Sequence, residues 1–233
     1  MAGERLQRIH GLLHFGNEAE PSSARLCDVC AEVTAMSGAG IMLMSGDLPL
    51  GSVCTTNDVS ALIEDLQFTL GEGPCVDAFT HRLPVLEPDL AGTNTPRWPA
   101  FSPQALKAGV RAIFGFPLQV GGVCLGALNL YRDGVGPLSD DQHADALVMA
   151  DVASQAVLAM QGAASANAVA TSIDVDGDFH LVVHQAAGMV AVQLGVTVGE
   201  ALIRLRAYVF SHDLTLTELA EEIVAGRLRF DAA

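Results

Sequence analysis

Arg204 and Arg206 stand one residue apart in an apolar-periodic run near the C-terminus, followed by Tyr208 and preceded by His184 and Gln185. A guanidinium presents a planar fork of donors that grips a phosphate or the edge of a guanine in two directions, and a tyrosine ring stacks on an unpaired base. These residue types at this spacing are suited to recognition of a polyanion but do not by themselves require it. The bland alternative is a solvated helix face opposite the apolar stripe of Leu202, Leu205 and Val209.

Other constellations carry less. Cys27 and Cys30 form a CxxC, but Cys54, Cys75 and Cys124 are isolated, so an all-cysteine zinc site has no second pair. Cys30 falls on the apolar face of a helix with Leu26 and Val33, and both thiols are expected to be buried and inert; a redox pair would need an electropositive or helix-N-terminal setting. Asp174, Asp176 and Asp178 alternate, yet the twelfth position counted from Asp174 is Gln185, which excludes an EF-hand loop and leaves a solvated linker. Trp98, Phe101, Phe114 and Phe116 are candidates to wall an apolar ligand cavity over a sheet, with Cys75 and Asp77 as polar groups at its mouth; the competing reading is plain core. No HExxH, GxSxG or dinucleotide-binding glycine pattern occurs, so no enzyme is expected; the sequence names neither metal nor cofactor.

Twelve basic residues face twenty-seven acidic ones, a formal charge of -15, and Lys107 is the sole lysine. Such a chain offers no broad electropositive surface to nucleic acid, so a nucleic-acid site must be local. Residues 1–178 hold eight basic and twenty-one acidic side chains, whereas residues 179–233 hold four and six. Half of the residues are hydrophobic, enough for a buried core. No run reaches the roughly 18 apolar residues of a membrane span, and five cysteines, an odd number, do not make a secreted disulfide framework; both suggest a cytoplasmic protein.

These residues must be held by an α+β domain followed by a small all-α unit. Residues 26–36 and 59–70 have helical periodicity, and 40–45, 51–56, 83–88, 111–120 and 123–133 read as strands. Gly121-Gly122 marks a hairpin in an antiparallel sheet, and residues 71–74 (GEGP) a turn. Ser139 and Gln142 begin a helix as a capping box; its apolar residues point in nearly every direction, which suggests a covering helix from a second subunit. Residues 161–178, rich in small residues and then aspartate, read as a linker between a domain over 1–160 and a three-helix unit over 179–233. In that unit Gly195 marks a helix end, and Thr197/Glu200 and Thr215/Glu218 are further capping boxes.

Two resemblances cover most of the chain. LQFTLGEGPCVDAF at 66–79, RWPAF at 97–101, FPL at 116–118 and LGALNLY at 125–131 are similar to the actinobacterial type of GAF domain, a signal-sensing fold built on an antiparallel sheet with flanking helices. Gln185-Ala186-x-Gly188, Glu200-Ala201, Leu205-Arg206-Ala207 and Leu216-x-x-Leu219-Ala220 resemble the ANTAR domain, the three-helix RNA-binding module of bacterial antiterminators. The second resemblance implies an RNA face of His184, Gln185, Ala187, Gly188, Arg204, Arg206 and Tyr208, with Ala187 where that family usually carries lysine and with Gly188 allowing close helix approach. It further implies tandem stem-loops as target and a homodimer supplying two bundles, while the sensor would take a small-molecule ligand. The alternatives are a protein-docking or dimerisation module that has lost RNA and a GAF-type methionine sulfoxide reductase, the latter lacking its subgroup's cysteine arrangement.

Overall fold

The computed structural model describes residues 2–13, 23–45, 48–92, 97–167, 180–212 and 214–230. Gly121, at a φ of 59°, lets the chain reverse in two residues, so that Val120 faces Val123 and strands β4 (Ala112–Val120) and β5 (Val123–Arg132) pair along their length. β1 (Gly38–Ser45), β2 (Leu48–Thr55) and β3 (Val85–Glu87) complete an antiparallel sheet in the order β2-β1-β5-β4-β3.

Side chains alternate across this sheet and sort two cores. Ala39, Ile41 and Leu43 of β1, Phe114, Phe116 and Leu118 of β4, and Leu128 and Leu130 of β5 are buried on one face. Helices α1 (Ala2–Leu13), α2 (Ser23–Thr34) and α6 (Asp140–Asn167) cover that side. The chain's own α1 and α2 cover part of α6, while Leu147 and Leu158 on it stay exposed; Arg5 bonds Asp141 and Asp145, and Arg8 bonds Asp145. The Ser139–Gln142 box forms reciprocally, and α6 continues through Asn167, into the expected linker. The aspartates at 174–178 lie outside the described residues.

The opposite face, with Gly40, Met42 and Met44 of β1 and Ala127, Asn129 and Tyr131 of β5, receives α3 (Asp58–Leu70), α4 (Pro74–His81) and α5 (Phe101–Lys107). α4 starts at Pro74, the last residue of GEGP, and α5 starts where Glu72 accepts from the amides of Ala100 and Phe101. Beyond residue 179 come α7 (Leu181–Leu194), α8 (Val198–His212) and α9 (Leu216–Val224). Gly195 is the left-handed cap of α7, and the boxes at Thr197/Glu200 and Thr215/Glu218 both form. The stripes Leu202/Leu205/Val209 and Leu216/Leu219/Ala220/Ile223 bury against Val183, Ala186 and Val190, and the same cluster includes Met42, Met44 and Phe68. The helical unit is therefore seated on the sensor sheet and α3. Among the described residues no single helix is long and apolar enough to cross a membrane.

Candidate functional site

Helix α3 places Glu64 and Gln67 on its inner face, and β5 places Asn129 opposite. Glu64 is 2% exposed; its Oε1 accepts from Asn129 Nδ2 at 3.1 Å, and its Oε2 has no partner among the described residues. A Cβ at Gly40 would overlap this carboxylate, so the side-chain-free position on β1 is what admits it. Gln67 Oε1 accepts from the Cys75 amide at 2.7 Å, leaving Gln67 Nε2 and Asn129 Oδ1 also unpaired among those residues. Burial pushes the Glu64 carboxyl up to about 8, with the Asn129 bond pulling the other way, and burial then Glu64 raise the Cys75 thiol.

Of this group Glu64 borders a cavity of about 130 Å³ between β2, α3 and the start of α7, lined in part by Ser52, Thr55, Glu64, Asp65, Phe68 and His180. Cys54 also lines it and is joined to Cys27 by a disulfide across 6.0 Å between Cα atoms. That corrects the expectation of a buried Cys27 thiol: the apolar face of α2 carries Cys27 onto β2, where Cys54 meets it, while Cys30 stays free and buried. Among the described residues no three His, Cys, Asp or Glu side chains group as a metal site.

The six residues expected to wall a cavity are divided between the two faces of the sheet. Trp98, Phe101 and Cys75 pack in the core beneath α4 and α5, with Trp98 edge-on to Phe101 at 6.0 Å, whereas Phe114 and Phe116 lie on the other side of the sheet. The reason is strand alternation: Ile113 is the β4 residue that faces Trp98's core. Asp77 is engaged by Trp98 Nε1 at 3.1 Å and Arg97 at 2.8 Å.

The helical unit distributes its expected RNA residues unevenly. Ala187 has no exposed surface, because it shares the inward face of α7 with Val183, Val190 and Ala191; it is core rather than rim. A methyl group placed on Gly188 would meet no atom within 4 Å among the described residues, so no close helix approach requires the glycine. His184 Nε2 bonds the Leu50 carbonyl at 2.9 Å, and its ring meets Phe68 edge-on. Arg206 Nη2 donates to the Phe68 carbonyl, its guanidinium lies over Gly71 at the C-terminus of α3, and burial lowers it to about 10. Tyr208 stacks on His212 at 3.9 Å, so one ring face is covered. Gln185 and Arg204 are exposed. Sequence reasoning missed Phe210, which is 87% exposed, and missed Glu64, Gln67 and Asn129. The available signals were Phe210 standing off the Leu202/Leu205/Val209 stripe and Glu64 lying one position from the buried Ile63 on α3.

The antiparallel sheet thus carries helices on both faces, with a cavity on the α3 side. The GAF domain family model matches residues 19–160, and the chain belongs to that family. In structure it is similar to the GAF domain of a phosphoenolpyruvate-protein phosphotransferase from Coxiella burnetii (13% identity, 70% of this chain and 96% of that one, TM-score 0.54). It is also similar to the GAF domain of the Acinetobacter phosphoenolpyruvate-protein phosphotransferase (13%, 71% and 98%, TM-score 0.52). No curated protein matches the sequence. Helices α7–α9 lie beyond the family match, so the chain joins a GAF-type sensor domain to a C-terminal helical region, a combination consistent with signalling or regulation.

Glu64 makes a stability prediction. The folded chain holds its proton to about pH 8 while the unfolded chain releases it near 4.5, so folding takes up a proton between these values and stability falls as pH rises through that window. Glu64→Gln, which mimics the neutral acid, is expected to remove up to about 1.4 kcal/mol per pH unit of that decline. Urea unfolding of both proteins across the window checks this; parallel curves would show that Glu64 does not titrate there.

Proposed function

We propose that the chain is a ligand-responsive regulator: the GAF domain takes a small molecule, and the helical unit binds structured RNA, with tandem stem-loops as target and a homodimer supplying two units. The observation that supports control by the sensor is the position of Arg206. The guanidinium that the ANTAR resemblance assigns to RNA is held instead by the Phe68 carbonyl of the sensor, so RNA and sensor compete for one side chain. In the docked form Arg204 and Gln185 remain exposed for a first, weak encounter; release of α8 then adds Arg206 and uncovers more of its face. The acidic sensor repels RNA elsewhere and confines binding to this helix.

Titration of a tandem stem-loop RNA at two salt concentrations tests the reading. Affinity is expected to fall steeply with salt, and Arg204→Ala to lower the salt slope by about 1. Binding that is indifferent to salt, or unchanged in the Arg204→Ala, Arg206→Ala double variant, contradicts it. A second reading, a protein-docking surface, is favoured by the exposed Ile203 and Phe210 on α8. A stable protein partner that survives nuclease and is lost in Phe210→Ser would support that reading instead.

A further inference from the structure

The cavity beside Glu64 has two carboxyl groups in its lining, and among the described lining residues its one titratable base, His180, lies 3.8 Å from Asp65. Glu64 Oε2 is buried and without a partner among the described residues, and Glu64 lines the space. Asp65 adds a second carboxylate, Ser52 and Thr55 add hydroxyls, Phe68 adds an apolar wall, and no lysine or arginine is among the lining residues described. Three classes of guest can be weighed against this lining. An anion meets Asp65, which His180 Nε2 approaches at 3.8 Å, and opposes ionisation of Glu64, in a chain of charge -15. A neutral apolar molecule leaves Oε2 unsatisfied, at the cost of a desolvated polar atom. A cationic donor supplies the missing partner and the opposite charge together. The volume of about 130 Å³ is close to that of a cavity that admits benzene, which sets the size at about six heavy atoms.

We propose that this cavity binds a small organic cation, an ammonium or amidinium group on a short apolar stem, with Glu64 as its counter-ion. The proposal deepens the sensor half of the preceding reading and rests on it, but does not need RNA binding. Besides the guest, the groups facing Glu64 are Asn129 from β5, Cys75 from α4, Gln67 and Asp65 on α3 itself, and His180 ahead of α7. Because burial keeps the Glu64 carboxyl protonated to about pH 8, a bound cation displaces one proton to solvent, and affinity rises with pH below that value by up to roughly tenfold per unit.

Isothermal titration of the full chain with n-butylammonium and methylguanidinium, with n-butanol and butyrate as neutral and anionic counterparts, tests this at about pH 6.5 and about pH 8. The cations are expected to bind saturably, more tightly at the higher pH, and roughly tenfold more weakly in Glu64→Gln. Titration of the wild type in two buffers of different ionisation heat reads the released proton directly and does not depend on the variant folding. Absence of saturable cation binding, equal binding of butanol or butyrate, or affinity indifferent to both pH and Glu64→Gln overturns the proposal. Binding of butanol alone would overturn the cation assignment while leaving a small-molecule sensor, and failure of the RNA titration would leave this site untouched.

Discussion

Phe68→Ala is expected to loosen the helical unit from the sensor at a cost of about 3–5 kcal/mol, the usual range for truncating a buried phenylalanine. The residue is 1% exposed and joins the two parts in several ways at once. Its ring stacks on His180 at 3.9 Å and meets His184 edge-on at 5.7 Å, and it belongs to the same buried cluster as Met42, Met44 and the bundle residues. Its backbone carbonyl, which the substitution keeps, accepts from Arg206. Loss of the ring removes the apolar contact that holds this hydrogen bond away from water, so the guanidinium becomes free to leave. Urea unfolding, expected to be a single transition in the wild type, should separate into two in the variant, with a larger radius of gyration before the first. Phe68→Leu, which keeps most of the volume, should restore much of the loss. An unchanged radius with a single, merely earlier transition would mean that Phe68 serves the sensor core and does not attach the bundle.

Reduction of the Cys27–Cys54 disulfide is the second large effect. The bridge closes a sequence separation of 27 residues, for which the chain-entropy account gives about 3.5 kcal/mol. It fastens α2 to β2, and so joins a helix of one sheet face to an edge strand that borders the cavity on the other. Cys27→Ala, Cys54→Ala is expected to lower the melting temperature by roughly 7–14 °C, taking the usual shift per kcal/mol for a chain of this length. Wild-type protein in reductant should melt with the double variant. Coincident melting of oxidised wild type and double variant would show that the bridge adds nothing to stability.

What the sequence made legible follows from which interactions are local. The hairpin at Gly121-Gly122, the three capping boxes and the stripes of α8 and α9 depend on residues within a turn or two of each other, and each forms where it is expected. The short helices α4 and α5 escaped because eight and seven residues hold too little periodicity, although Pro74 marks the start of the first. Phe114 and Phe116 share one face of β4, but alternation states only that they agree with each other, not which core they meet. The Cys27–Cys54 pairing and the burial of Glu64 arise from strands and helices far apart in sequence, and no spacing rule reaches them. The Arg204/Arg206 pair divided for the same reason: neighbours on a helix separated by two positions point in different directions, and the sensor occupies one of them.

His180 lines the cavity from the helical side and Glu64 from the sensor side, so any guest there touches both parts of the chain. A compound that prefers the closed assembly adds its occupancy to the free energy of closure, about 2.7 kcal/mol at a hundredfold excess over its dissociation constant. Thermodynamic reciprocity then runs in the other direction as well. Under the proposed reading, an RNA that pulled the helices away would weaken the hold on the small molecule by the same factor by which the small molecule weakens the hold on the RNA.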